Sequence, residues 1–326
     1  MAKPDKMKSG RRASFTVNGA EVLAGERRTV DVPLPQLYTH TSIPMPVQVL
    51  HGLKDGPRLF LTAALHGDEL NGLEIIRRVV ARLDPRRIRG TVLAVPVVNV
   101  FGLITQSRYL PDRRDLNRSF PGSPSGSLAS RLAHTVLREI IRPCTHGIDL
   151  HTAGMNRTNL PQIRANLADP ETRQCAEAFG APVMVNSAAR DGSLREAAVA
   201  NGVHVLVYEA GEPLRFNDDA IDTGVSGVLR VMAALGMRMG RKRGPDRPCL
   251  EARTSKWVRA RRSGILRLSV AVGEHVRKGQ SLGVISDSFE EHKITVKSPW
   301  TGVVIGQTVN PLVYRGDAIV HVGILD

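Results

Sequence analysis

The chain has 326 residues, 42% of them hydrophobic, which is enough for a folded catalytic domain with a sizeable core and a smaller second domain. Its formal net charge is +14, but aromatics are only 4% and the basic residues are spread out without a groove-reading or base-stacking motif; this argues against a nucleic-acid partner and for a solvated arginine-rich surface, with steering of small anionic substrates as the functional alternative. No apolar stretch approaches the roughly 20 residues of a membrane helix, so no membrane partner is expected, and Cys144, Cys175 and Cys249 are spaced like neither a CxxC metal pair nor a disulfide framework, which fits a reducing, cytoplasmic setting.

Residues 1–13 are basic and polar, lack the apolar centre of a secretory signal, and are expected to form a disordered tail. Residues 14–49 alternate apolar and polar with Pro and Gly breaks, the pattern of short strands. The continuous apolar run 59–65 suits a strand buried on both faces, and 71–83 has helical spacing through Leu73, Ile76, Val79, Val80 and Leu83. The same pattern recurs with strands over 91–100, 147–150 and 203–208 and helices over 127–141, 171–179 and 220–237. Such alternation predicts an α/β fold for 14–240, with a mostly parallel or mixed sheet covered by helices. A charged, Gly- and Pro-containing stretch within 241–255 reads as a linker, and the short Val/Ile runs punctuated by glycine over 256–326 predict a small all-β domain.

The chemistry concentrates where apolar runs end. His66 and Glu69 stand in Leu-His-Gly-Asp-Glu, and His151 stands in Asp-Leu-His-Thr-Ala-Gly. Two imidazoles and one carboxylate are the ligand set of a catalytic zinc site, which keeps a fourth position open for water. The spacing of His66 and Glu69 lets both side chains face one point if the turn between strand and helix is helical. Glu209, in Tyr-Glu-Ala-Gly, follows another apolar run, so three sequence-distant groups are expected to meet at the carboxyl ends of strands. Glu209 is the expected general base. Asp149, two before His151, projects to the same side of a strand and is placed to hydrogen-bond that histidine. Arg118 offers a planar fork for a carboxylate.

Taken in order, His66-Gly-Asp-Glu69, Arg108-Tyr109, Asp115-Leu-Asn-Arg118, Asp149-Leu-His151 and Glu209 resemble the succinylglutamate desuccinylase/aspartoacylase family of zinc carboxypeptidase-like deacylases, over roughly residues 45–240. The resemblance implies one Zn²⁺ on His66, Glu69 and His151, with Glu209 activating water. It further implies that Arg108 stabilises the oxyanion while Asn117 and Arg118 hold the carboxylate of an N-acyl amino acid, whose amide is hydrolysed. A zinc metallocarboxypeptidase acting on short peptides and a non-catalytic protein retaining its metal site are the competing readings. Homo-oligomerisation is compatible with the sequence.

Gly264-Ile-Leu, the run from Gly273 to Ile285, Val296-Lys-Ser-Pro-Trp-Thr-Gly and Gly316-Asp-Ala-Ile-Val resemble the biotinyl/lipoyl-type barrel-sandwich module. Carrier versions of that module have their lysine eight residues before the Pro of a Ser-Pro step; counted back from Pro299 that position is Glu291, and Lys293 is out of register. A carrier role is not expected; the resemblance to the deacylase family, whose members commonly have a C-terminal β-domain, implies a wall or lid over the crevice, with Tyr314 as a contributor to the pocket.

Overall fold

The computed structural model describes residues 12–36, 39–41, 43–239 and 249–325. All of the expected tail except its last two residues lies outside these, as does the expected linker up to residue 248.

Among the described residues, one mixed sheet of thirteen strands organises the fold. At its centre Arg89–Val95, Lys54–Ala63, His146–His151 and His204–Gly211 run parallel. Their alternation explains the burial on both faces, since successive side chains of a strand point to opposite sides. Leu59, Leu61 and Ala63 face one core, with the helices Asn71–Ala81, Pro170–Phe179 and Asp218–Ala234. Phe60 faces the other, with Leu128–Val136 and Leu194–Ala200. Both cores consist of side chains that are almost wholly buried, each contributing roughly 1.5–3 kcal/mol to the driving force.

Beyond the parallel centre the sheet changes direction. Pro44–His51 pairs antiparallel with Arg89–Val95, and Arg27–Pro33 pairs antiparallel with Pro44–His51. On the other side Arg157–Ala165 pairs antiparallel with His204–Gly211, and Val183–Asn186 runs parallel to it. No strand signal marks these last two segments in the sequence: Arg157–Ala165 alternates only weakly, with Asn159 and Arg164 lining a polar cavity. The helices Val100–Ile104 and Leu194–Ala200 were also not expected; both are under two full turns, too short for helical periodicity to stand out. The expected strand 203–208 continues through Gly211, so Glu209 lies within the strand rather than after it.

The C-terminal residues do not form a detached unit. Gly302–Thr308 pairs antiparallel with Arg157–Ala165, extending the central sheet, and Ala318–Ile324 and Thr254–Arg259 follow outward. Val183, Val185, Ala252, Val303 and Ile305 are buried together at this junction. A separate four-stranded sheet of Lys293–Lys297, Ser281–Ser286, Gly264–Leu268 and Leu312–Val313 faces it across a core that includes Leu266, Leu282, Ile285 and Val304. Among the described residues no helix is long and apolar enough to cross a membrane.

Candidate metal and active site

Three of the parallel strands deliver the chemistry. After Lys54–Ala63 the chain turns through Ala64, at φ +46°, and Glu69 N donates to His66 O at 3.1 Å, closing the turn that puts both side chains on one point. Gly67 lies inside that turn, where a Cβ would meet the Gly102 carbonyl carbon at 1.9 Å, so no other residue fits without moving the loop. His151 is the last residue of its strand, and Glu209 is its register partner on the neighbouring strand.

His66, Glu69 and His151 converge, with one ligand atom from each lying within 4.8 Å of the others. All three are almost wholly buried. His66 Nδ1 is 2.6 Å from Glu69 Oε1, and His151 Nδ1 is 2.9 Å from Glu69 Oε2. The outer nitrogens are also occupied, His66 Nε2 by Asp115 Oδ1 at 3.1 Å and His151 Nε2 by Asp149 Oδ2 at 2.8 Å. Thr62 Oγ1 donates to Asp149 Oδ1 at 2.8 Å, and Thr152 N donates to Glu69 Oε2 at 3.0 Å.

This wiring is a chemical test of the donor set. If each Nε2–H is donated outward to a carboxylate, each inner Nδ1 presents a lone pair to a carboxylate oxygen. Lone pairs facing at such distances require a positive charge between them, supplied by a proton or by a divalent cation, so the residues fit a metal. The electrostatics agree. Burial alone would raise the Glu69 carboxyl, but His66 and His151 hold it well below the usual carboxylate range. Burial alone would lower both histidines, yet Glu69 and Asp115 raise His66, and Asp149 and Glu69 raise His151.

Arg108 closes one side, donating from Nη2 to Asp115 Oδ2 at 2.9 Å with Nη1 3.4 Å from Glu69 Oε1. His66 and Arg108 together hold Asp115 below its ordinary range despite burial. Asn117 and Arg118 line the same cavity. The Asn117 Oδ1 accepts Leu194 N at 2.9 Å at the start of the helix Leu194–Ala200, which leaves its amide N–H groups for the cavity. The cavity holds about 710 Å³.

Its far wall is cationic. Arg164 is desolvated, which lowers its pKa against the pull of Glu209. Arg195 is pushed down to about 10 by burial and by Arg164 and Arg190. Among the described residues neither guanidinium is ion-paired; Arg195 Nη1 donates to Ser187 Oγ at 3.1 Å, and Arg164 Nη2 lies 3.5 Å from His321 Nδ1. Thr254, Ser255, Trp257 and His321 bring the C-terminal strands to the cavity. Trp257 stacks on His321 with ring centroids 4.4 Å apart, and the Arg157 guanidinium lies 4.7 Å from the Trp257 ring.

The structure thus brings His66, Glu69, Arg108, Asn117, Arg118, His151 and Glu209 around one cavity, with Asp149 behind His151. Tyr314 does not join them. It is 77% exposed in the loop between Leu312–Val313 and Ala318–Ile324, away from the cavity lining. The second carboxylate behind the triad, Asp115, lay in a motif that the sequence displays but whose role no spacing reveals. Asn159, Arg164 and Arg195 carry no sequence signal, because their strands and helix become functional only through pairing.

Comparison with known proteins agrees with this geometry. Residues 55–235 match the family model of the succinylglutamate desuccinylase/aspartoacylase catalytic domain. The chain is 27% identical over 278 residues to an N-alpha-acetyl-L-2,4-diaminobutyric acid deacetylase of Halomonas elongata, covering 81% of each protein. It is similar to the crystal structure of a succinylglutamate desuccinylase/aspartoacylase from Rhodobacter sphaeroides, with TM-score 0.82 and 29% identity over 92% of this chain and 95% of that one. The fold is shared with the product-bound ectoine utilization protein EutE (DoeB) from Ruegeria pomeroyi, with TM-score 0.82 and 23% identity over 92% and 94% of the two chains. The domain match spans more than half the chain and contains every residue of the converged triad, and on that ground the chain belongs to the succinylglutamate desuccinylase/aspartoacylase family.

Proposed function

We propose that the protein is a zinc-dependent deacylase that hydrolyses the amide bond of a small N-acyl amino acid in the cytoplasm. The observation that carries this reading is the convergence of His66, Glu69 and His151 with Glu209 in one cavity walled by arginines. The family membership and the Halomonas deacetylase relative support it, and three unpaired cysteines accord with a reducing compartment.

His66, Glu69 and His151 would hold the zinc, which when bound acidifies a water to a pKa near about 7 and polarises the acyl carbonyl. Arg108, anchored on Asp115, presents its guanidinium where negative charge develops on the carbonyl oxygen. Glu209 takes a proton from the attacking water as the new C–O bond forms, and returns it to the nitrogen as the C–N bond breaks. The acid formed passes its own proton to the departing amine, so the products are a carboxylate and a protonated amine, and atoms and protons balance. The Asn117 amide and the Arg118 guanidinium would hold the substrate carboxylate.

The C-terminal strands form a wall of the crevice through Trp257 and His321, which restricts it to small substrates. This favours N-acyl amino acids over peptides. We assign 14–240 to the catalytic domain and 256–326 to a barrel-sandwich-like domain without a carrier role. Glu291 sits in the turn between Ser281–Ser286 and Lys293–Lys297, and Lys293 is engaged with Glu290 at 2.6 Å.

The experiment is a metal assay joined to a screen of N-acetyl, N-succinyl and N-formyl amino acids. The purified protein should contain one zinc per chain, lose activity on chelation and regain it with Zn²⁺. Glu209→Gln should keep the metal and lose about 10²–10⁴-fold in kcat. Full activity in that variant, or activity that ignores the metal, overturns the reading.

A further inference from the structure

Glu209 is held by a residue whose own position depends on the C-terminal strands. Asn159, on Arg157–Ala165, donates from Nδ2 to Glu209 Oε2 at 3.0 Å. Among the described residues this is the only side-chain hydrogen bond Glu209 makes, so Oε1 has no side-chain partner among them, and Glu209 lines the cavity. The strand pairing is irregular here, with a bulge between Glu209 and Gly211 that brings Gly211 opposite Asn159. On its other edge Asn159 is the register partner of Gly306 in Gly302–Thr308, beside a second bulge between Val304 and Gly306. A Cβ on Gly306 would stand 2.6 Å from Asn159 Oδ1, closer than real contacts allow.

We infer that Asn159 is a positioning residue for Glu209, and that the missing side chain at Gly306 makes room for it, so the C-terminal strands take part in catalysis through this contact. The physical need is plain. Glu209 shares the cavity with Arg164, whose positive field pulls on it. A carboxylate free to swing toward a guanidinium spends less time aligned with the water it must deprotonate, and a misplacement of about 1 Å costs on the order of 10²-fold. One N–H on Oε2 fixes the rotamer and leaves the other oxygen for proton transfer. Both bulges fall at this junction, where bulges re-aim side chains next to active sites.

The inference rests on Glu209 being the proton-transfer group, so the variants are chosen to separate the two. In the zinc-loaded full chain, Asn159→Ala, Asn159→Asp and Gly306→Ala should each lower kcat about 10- to 100-fold. KM should stay within about twofold of wild type, since ground-state binding is untouched. Metal content should stay at the wild-type value in all three, and the urea midpoint should stay at the wild-type value in the two Asn159 variants. Asn159→Asp keeps the shape but lacks the donor, so an active Asn159→Asp variant would mean that packing alone matters and overturns the inference. The pair Asn159→Ala with Gly306→Ala should be no worse than either alone; additive losses would overturn the link to Gly306. A rise in KM at constant kcat in Asn159→Ala would make Asn159 a substrate contact instead. A crystal structure of Gly306→Ala, independent of any substrate, should show Glu209 released from Asn159, and an unchanged contact overturns the link. An active Glu209→Gln variant removes the general-base reading itself, whereas an inactive one beside a fully active Asn159→Ala removes only the positioning role.

Discussion

Asp149 and His151 lie two residues apart on one strand, project to the same face, and meet at 2.8 Å between Oδ2 and Nε2. The contact fixes which imidazole nitrogen turns toward Glu69, and Thr62 Oγ1 fixes Asp149 in turn. Replacing Asp149 by Asn offers His151 an amide in place of a carboxylate and weakens the preference for the inward-facing lone pair. Asp149→Asn should bind zinc about 10- to 100-fold more weakly, measured by competition against a chelating indicator. Thr62→Val, which keeps the carboxylate and loses only its anchor, should lose less. Wild-type affinity in Asp149→Asn would show that the carboxylate does not orient the ligand.

The sequence displayed this pair because period-two alternation and an apolar run coincide at 147–151. The other central parallel strands were legible as apolar runs, and the longer helices by the helical spacing of their apolar residues. What it hid were contacts made by pairing between distant strands. Asn159 and Arg164 stand in a polar-looking stretch whose strand character comes from being wedged between His204–Gly211 and Gly302–Thr308. The C-terminal glycines announced an all-β region, but that its strands would extend the catalytic sheet depends on an edge that only the folded chain presents.

Phe60 and Gly147 are register partners on adjacent strands, and a Cβ at residue 147 would stand 2.0 Å from Phe60 Cζ. Phe60 is fully buried, so the ring has nowhere to retreat. Gly147→Ala should cost about 1–3 kcal/mol of stability through overpacking. Adding Phe60→Leu should recover part of that loss, although Phe60→Leu alone destabilises by leaving a void. Urea titration of the four proteins tests the coupling. Strict additivity would mean that the sheet shifts to absorb the methyl group.

Trp257 reaches the cavity from a C-terminal strand, braced by His321 on one ring contact and by Arg157 on another. Truncating it opens the wall without touching the triad. Trp257→Ala should therefore keep its metal while the ratio of kcat/KM between bulky and short acyl chains shifts toward the bulky ones by about 10-fold or more, since pocket contacts discriminate at roughly 1–3 kcal/mol per added group. A ratio that does not move across the acyl panel would show that the C-terminal strands do not shape selection.

His321 supplies a pH signature of the same wall. Burial, then Arg164, Arg157 and Arg190, push its pKa down to about 3 from an ordinary 6.5. The folded protein therefore keeps this imidazole neutral where the unfolded chain takes up a proton. Its contribution is fully present above pH 6.5 and is lost as the pH falls from there toward 3, at about 1.4 kcal/mol per pH unit. Between pH 7 and pH 5 the wild type should lose about 2 kcal/mol more stability than His321→Asn, which carries no titrating group. Urea midpoints at the two pH values measure the difference. Equal losses in both proteins would mean that His321 is protonated in the folded state and that the arginines around it do not control its charge.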